Sequence, residues 1–293
     1  MWFDKEAQQA AKFYTTLFPD SQVTSVFTLK NTPSGDTDIV NFNLKGMDFM
    51  AINAGPTFKL NPSVSFFLNF DPLTDPDARK NLDRTWAKLA DGGTVLMELG
   101  EYPFSPHYGW IQDKYGLSWQ LILTNPEGEP RPFIVPSLLF VNHVSGKAKE
   151  AVDFYLTVFK KSQLGSLNKY PSGMEPDKEG TIAYADFKLF DTWFAVMDSA
   201  REHHFDFNES ISFIVNCDSQ EEIDYYWQKL SAVPESEQCG WLKDKFGVSW
   251  QIVPSEMQSL MNTSDKDKLN RITQSFLQMK KLDIAKLKQV AAN

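Results

Sequence analysis

The chain has 293 residues, enough for two domains with separate cores, and 42% of them are hydrophobic. That composition, with 14% aromatic residues and no low-complexity tract, belongs to a globular protein. A net charge of -9 argues against nucleic acid as a partner, and two cysteines exclude a disulfide framework and point to a reducing compartment.

The opening MWFDKEAQQA has no apolar core of signal-peptide length, and no apolar run approaches the roughly 18 residues that cross a membrane. A cytoplasmic protein is expected. Ala10, Phe13, Tyr14, Leu17 and Phe18 then form the stripe of a helix buried on one side, ended by Pro19-Asp20. Strands follow at 22–30, around Val40, Phe42 and Leu44, at 48–53 and at 63–70. Leu82, Trp86 and Leu89 mark a second helix, ended by Gly92-Gly93, and 94–99 reads as a strand.

Residues 109–122, GWIQDKYGLSWQLI, supply two more strands split at Gly116. They return at 240–253 as GWLKDKFGVSWQIV, with eight of fourteen positions identical. The rest of the series returns with them. Ala151, Phe154, Tyr155, Val158 and Phe159 repeat the first helix, and SISFIVNCD at 210–218 repeats SVSFFLNFD at 63–71. The chain is a tandem duplication, with insertions placed in loops.

The expected order in each copy is strand, helix, three strands, twice over. This divides the chain into a first domain at 1–124, a Pro-rich linker at 125–136, a second domain at 137–254 and a helical extension at 255–293. In the extension, Leu269, Ile272, Phe276 and Met279 form an apolar stripe that must cover the second domain or the seam between domains.

Two βαβββ units per domain resemble the vicinal oxygen chelate superfamily, the α+β fold of glyoxalase I and bleomycin-resistance proteins. FYTTLFPDS, SVSFFLNFD and GWIQDKYGLSWQ, with SISFIVNCDSQEEIDYYWQKL in the second copy, resemble its PhnB-like branch. Sequences of that branch carry the label 3-demethylubiquinone-9 3-methyltransferase. In metal-dependent members, the resemblance implies His, Gln or Glu ligands on four strands, ending with a Glu on the last. Gln120 and Gln251 stand in that last place. The first position falls on Phe140 in copy two and ahead of Met1 in copy one, where the chain begins inside its own first strand. The other two fall near Asn53 and Ser63 to Ser65, and near Asp198 and Ser210 to Ser212. Neutral Gln, Ser and Asn are weak ligands, so no metal is expected. No Gly-rich turn opens a helix after a strand, so no nucleotide-derived cofactor is expected either.

The candidate ligand-binding residues are Asn53, Trp110, Trp119, Gln120, Asp198, Trp241, Trp250 and Gln251. Neighbouring Trp and Gln on a strand point to opposite faces, and a Gln turned inward needs a partner. Cys239 has no local positive charge and is expected to be packed rather than nucleophilic. The four histidines are expected in surface or loop positions. The preferred expectation is a metal-free small-molecule-binding protein, a monomer acting as an internal pseudo-dimer, with no assigned catalytic residue. An enzyme using an unrecognised metal or cofactor and a structural pseudo-dimer without ligand are the alternatives.

Overall fold

The structure, a computed structural model, describes residues 1–261, 263 and 265–292. Four modules follow one another. The first has β1 (Trp2–Phe3), α1 (Ala7–Thr15), β2 (Ser21–Thr32), β3 (Gly35–Leu44) and β4 (Met47–Asn53). The second has β5 (Val64–Phe70), α2 (Ala78–Ala90), β6 (Thr94–Tyr102), β7 (Ser105–Gln112) and β8 (Ser118–Leu123). The third has β9 (Ile134–Phe140), α3 (Ala148–Val158), β10 (Ser162–Lys169), β11 (Ile182–Leu189) and β12 (Thr192–Asp198). The fourth has β13 (Ser212–Cys217), α4 (Gln220–Leu230), β14 (Trp241–Lys243) and β15 (Ser249–Pro254). The tail adds α5 (Met257–Met261), α6 (Lys266–Leu277) and α7 (Ile284–Ala292).

Two expectations change here. Residues 134–136, assigned to the linker, begin the buried strand β9. Pro136 is tolerated there because it faces Phe66 within the ladder to β5 while the ladder to β12 starts only at Ser137. The fourth module has two strands after its helix, not three. The missing residues are those of a β6 counterpart, and the tail takes over that edge: Cys239 N–H donates to the Met279 carbonyl at 2.8 Å and Gly240 N–H to that of Lys280 at 2.7 Å.

The sheets cross the boundary between the copies. Modules two and three share one eight-stranded sheet, in the order β10-β11-β12-β9-β5-β8-β7-β6, joined by antiparallel β5 and β9. Module one forms β1-β4-β3-β2 and module four β13-β15-β14. Trp2 N–H donates to the Ser210 carbonyl at 2.8 Å, repeating the 2.8 Å bond from Leu139 N–H to the Ser63 carbonyl. Module one therefore stands beside module four as module three stands beside module two. Each cup is built from half of each copy.

Helices cover the convex faces. Trp119 lies against Tyr14 with ring centroids 5.5 Å apart, and Trp250 against Tyr155 at 5.4 Å. Full burial of large side chains such as these contributes roughly 1.5–3 kcal/mol each. On the concave side of modules one and four, Ile272, Phe276, Met279, Leu282 and Leu287 of the tail are buried with Leu29 and Ile39. Gln274 Nε2 donates to the Lys30 carbonyl and Gln238 Nε2 to that of Leu277. The apolar stripe thus covers the seam between the copies.

Candidate functional site: the concave face of the eight-stranded sheet

Alternation decides which residues meet in the cup. On β5, β7, β8 and β9 it places Ser65, Phe67, Tyr108, Trp110, Gln120, Val135 and Ser137 on the face away from the helices. Phe67, Tyr108, Val135 and Ala195 are buried together there, with Trp110, Tyr184, Trp193 and Met197 packed around them. The two walls meet where the Phe67 and Tyr184 rings approach to 6.1 Å.

Gln120 is 1% exposed and both amide atoms are engaged. The Tyr108 hydroxyl donates to its Oε1 at 2.6 Å, and its Nε2 donates to Ser65 Oγ at 2.8 Å. Burial pushes the Tyr108 phenol well above its ordinary value, so it stays neutral and can donate. Ser137 lies between Ser65 and Ala195 in register, is fully buried, and its Oγ has no hydrogen-bond partner among the described residues. Trp110 Nε1 donates to Ser118 Oγ at 2.7 Å.

The connection between copies closes the other wall. Arg131 donates from Nε to Asp186 Oδ2 at 2.8 Å, and its guanidinium carbon lies 3.9 Å from the Trp193 ring centroid. Asp186 is 3% exposed. Its Oδ2 also accepts from the Tyr184 hydroxyl at 3.3 Å, and its Oδ1 from Ser166 N–H at 2.6 Å. Asp186 raises the Tyr184 phenol further, after burial as the larger cause. The sequence showed Arg131 only as a polar residue of the linker, and its partner is 55 positions away.

The second cup differs. Gln251 Nε2 keeps the bond to Ser212 Oγ at 2.8 Å, but Cys239 replaces Tyr108 and joins the apolar cluster of the tail helices. Burial raises the Cys239 thiol, which fits the packed role expected of it. Trp241 lies with its ring 6.4 Å from Trp2.

Four candidate residues belong elsewhere. Trp119 and Trp250 face the helices, and their indoles donate to Asp113 Oδ2 at 2.8 Å and Asp244 Oδ2 at 2.9 Å. Their Gln neighbours take the concave face, as strand alternation requires. Asn53 Oδ1 accepts from Ala7 N–H at 2.8 Å, and Asp198 Oδ1 accepts from Gly146 and Ala148 N–H at 2.8 and 3.1 Å. Both satisfy amides at the starts of α1 and α3 that have no partner within the helix, a capping task.

The same register corrects the first strand. Phe3 pairs with Asn53 as Phe140 pairs with Asp198, so Phe3 is the first-copy counterpart of Phe140. The loop to the helix is shorter in copy one, which hides the match when residues are counted back from the helix. Histidine placement also changes, because His107 lies in β7, 8% exposed, with Nε2 2.5 Å from Asp83 Oδ1.

Asp113 and Asp244 were missed. Asp244 Oδ1 accepts from Phe246 and Val248 N–H, and its Oδ2 from Tyr155 Oη and Trp250 Nε1. The available signal was Asp-Lys-aromatic-Gly in both copies, an Asx turn closed by Gly116 and Gly247, each at φ +90°.

The donors facing the first cup, Ser65, Ser137, Gln120 and a neutral Tyr108, include no carboxylate and no imidazole, the ligand types that hold a transition metal most strongly, and so are a poor fit to a glyoxalase-type metal. The carboxylate of Asp186, on the other wall, is held by Arg131. Among the described residues, no three His, Cys, Asp or Glu side chains converge as a metal group, and no helix is long and apolar enough to cross a membrane.

Comparison with known proteins places this geometry. The family model for 3-demethylubiquinone-9 3-methyltransferase matches residues 1–122 and again 132–253. The PhnB protein from Bacillus cereus, which bears the same methyltransferase name, is 36% identical over 42% of this chain and 95% of its own, with a TM-score of 0.38. A Staphylococcus aureus protein is 30% identical over 43% of this chain and 92% of its own, at a TM-score of 0.18. Glyoxalase I from Zea mays covers 90% of this chain and 94% of its own at 12% identity and a TM-score of 0.57, a likeness of fold. No curated protein matches the chain.

Proposed function

The chain belongs to the 3-demethylubiquinone-9 3-methyltransferase family, and from that premise we propose that it is a metal-free small-molecule-binding protein with one working cup. The fold is that of the glyoxalase, bleomycin-resistance and dioxygenase superfamily, and fold alone assigns no reaction. The site is the concave face of the eight-stranded sheet.

The observation that carries this reading is the Ser137 hydroxyl, buried on the cup floor without a partner among the described residues. Leaving such a group unsatisfied costs about 1–3 kcal/mol, which a ligand oxygen would recover. Around it stand the Gln120 amide, the Tyr108 hydroxyl and the faces of Trp110, Trp193 and Tyr184. Aromatic walls with a few converging polar groups suit a small, partly apolar, planar molecule. Its entry requires Tyr184 and Trp193 to turn away from the seam. The second cup is already filled by tail side chains, which supports one site per chain. Pairing among the four modules within one chain supports a monomer.

Native mass spectrometry of protein purified without chelator tests the proposal, with one small molecule per chain expected. Ser137→Ala should weaken retention of that molecule about tenfold, the loss of one good hydrogen bond. Stoichiometric zinc, nickel or iron in the same sample would overturn the metal-free reading. Unchanged retention in both Ser137→Ala and Gln120→Ala would remove the ligand from this cup.

A further inference from the structure

The parallel strands β9 and β12 end side by side, with Phe140 beside Asp198. The loops that leave them, with the loop that enters β11, surround a cavity of about 430 Å³ that shares no lining residue with the cup. Lys178, from the loop before β11, and Arg201, from the loop after β12, both line it. The chain has a net charge of -9, so two cations at one cavity reverse that charge locally.

Backbone contacts hold the two cations in place. Asp177 is 7% exposed, and its Oδ1 accepts from Ala200 N–H at 2.7 Å, which ties the two loops together. Thr181 grips the Lys178 carbonyl with its N–H at 3.1 Å and its hydroxyl at 2.7 Å. Arg201 Nε lies 3.7 Å from Asp177 Oδ2, which leaves the Nη groups of the guanidinium for another partner. Among the described residues Lys178 pairs with no carboxylate, and Glu202, also lining the cavity, pairs with neither cation. The start of α3 is not the source of the positive charge, because Asp198 Oδ1 already accepts from Ala148 N–H.

Other lining groups suit hydroxyls. Ser145 is half-buried and can donate or accept. Asn142 Nδ2 donates to the Phe205 carbonyl at 3.0 Å, so its Oδ1 is left to accept. The matching place in copy one, beside Asn53 at the start of α1, is a cavity of about 370 Å³ lined by Lys5 and Lys12. Asp38 lines it too, accepting from Gln8 Nε2 at 3.0 Å. A carboxylate there opposes an anion, so the two copies differ in what they can hold.

We propose that the cavity at Lys178 and Arg201 binds a phosphomonoester of a small polyol, of the sugar phosphate class. The phosphate sits between the two cations, and the hydroxyls reach Ser145, Asn142 and Glu202. Arginine offers a planar fork to two phosphate oxygens and lysine a point charge, so together they balance a dianion. The volume suits a molecule of that size, since small-molecule sites span roughly 300–1,000 Å³.

Isothermal titration calorimetry of the full chain with glucose 6-phosphate tests this, with inorganic phosphate and glucose as separate titrants. Glucose 6-phosphate should bind saturably, one per chain, with inorganic phosphate about tenfold weaker and glucose silent. Added salt should weaken the binding, because both cations are exposed. Lys178→Gln and Arg201→Ala should each weaken it about tenfold or more. Arg201→Ala also releases Asp177, so the exposed Lys178→Gln is the decisive variant. Lys12→Gln, in the copy-one cavity, should leave binding unchanged. The proposal fails if glucose 6-phosphate gives no saturable heat up to about 10 mM. It fails equally if Lys178→Gln binds like the parent, or if Lys12→Gln weakens binding as much as Lys178→Gln does. Equal affinity for inorganic phosphate and glucose 6-phosphate would also overturn it, because the hydroxyl contacts would then be absent.

Discussion

The Tyr108 hydroxyl donates to Gln120 Oε1 across the β7–β8 hairpin at 2.6 Å, while the counterpart of Tyr108 in the second copy is Cys239. One substitution therefore separates a closed polar pair from an open one. Tyr108→Phe leaves the buried Gln120 oxygen without its donor. It should lower the unfolding free energy by about 1–3 kcal/mol in urea titrations. A change within a few tenths would mean that the amide finds another partner.

Arg131 and Asp186 form a pair whose side chains are 12% and 4% exposed. Arg131→Ala strands a buried carboxylate and should cost about 3–5 kcal/mol. The Arg131→Ala, Asp186→Ala double variant should lose less than the two single losses combined, measured as a double-mutant cycle. Simple additivity would reduce the pair to a surface contact.

Asp244 predicts a pH effect. Burial holds its carboxyl above the ordinary carboxylate value, although four hydrogen bonds pull it downward. The folded state then keeps the proton at pH values where the unfolded chain has released it. Stability from this group is complete below the unfolded value and is lost as pH rises through the raised folded value. Asp244→Asn cannot titrate, so its unfolding free energy should fall less steeply than the parent's as pH rises above the ordinary carboxylate value. Parallel curves would show that Asp244 contributes no proton linkage.

The tail should stabilise the sheets it bridges. Ile272 is fully buried against the seam between modules one and four. Ile272→Ala should cost about 2–5 kcal/mol, seen in tryptophan fluorescence as well as in helix content. Loss of helix signal alone, with the tryptophan transition unmoved, would make the tail an independent appendage.

Much of this was legible in order along the chain. The stripe through Ala10 and Tyr14, the alternation through Val40, Phe42 and Leu44, and the repeated GW…DK…G.SWQ segments located most strands and helices, because side-chain periodicity is a local property. The site was legible in part. Gln120, Trp110, Gln251 and Trp241 do line concave faces, whereas Trp119 and Trp250 belong to the helix side. Asn53 and Asp198 lay on the right strands, but their role as caps depends on amides about 50 positions away in sequence.

What the sequence by itself determined is the duplicated series of modules and the family to which it belongs. Only the tertiary structure decided that module two joins module three while module one joins module four. The edges of β1 and β9 are chemically alike, since backbone N–H and C=O groups are the same in every residue. Local pattern therefore cannot choose between them. The choice shows only in the finished chain, where the connection from Leu123 to Ile134 brings β9 onto β5 and the tail closes over the opposite cup.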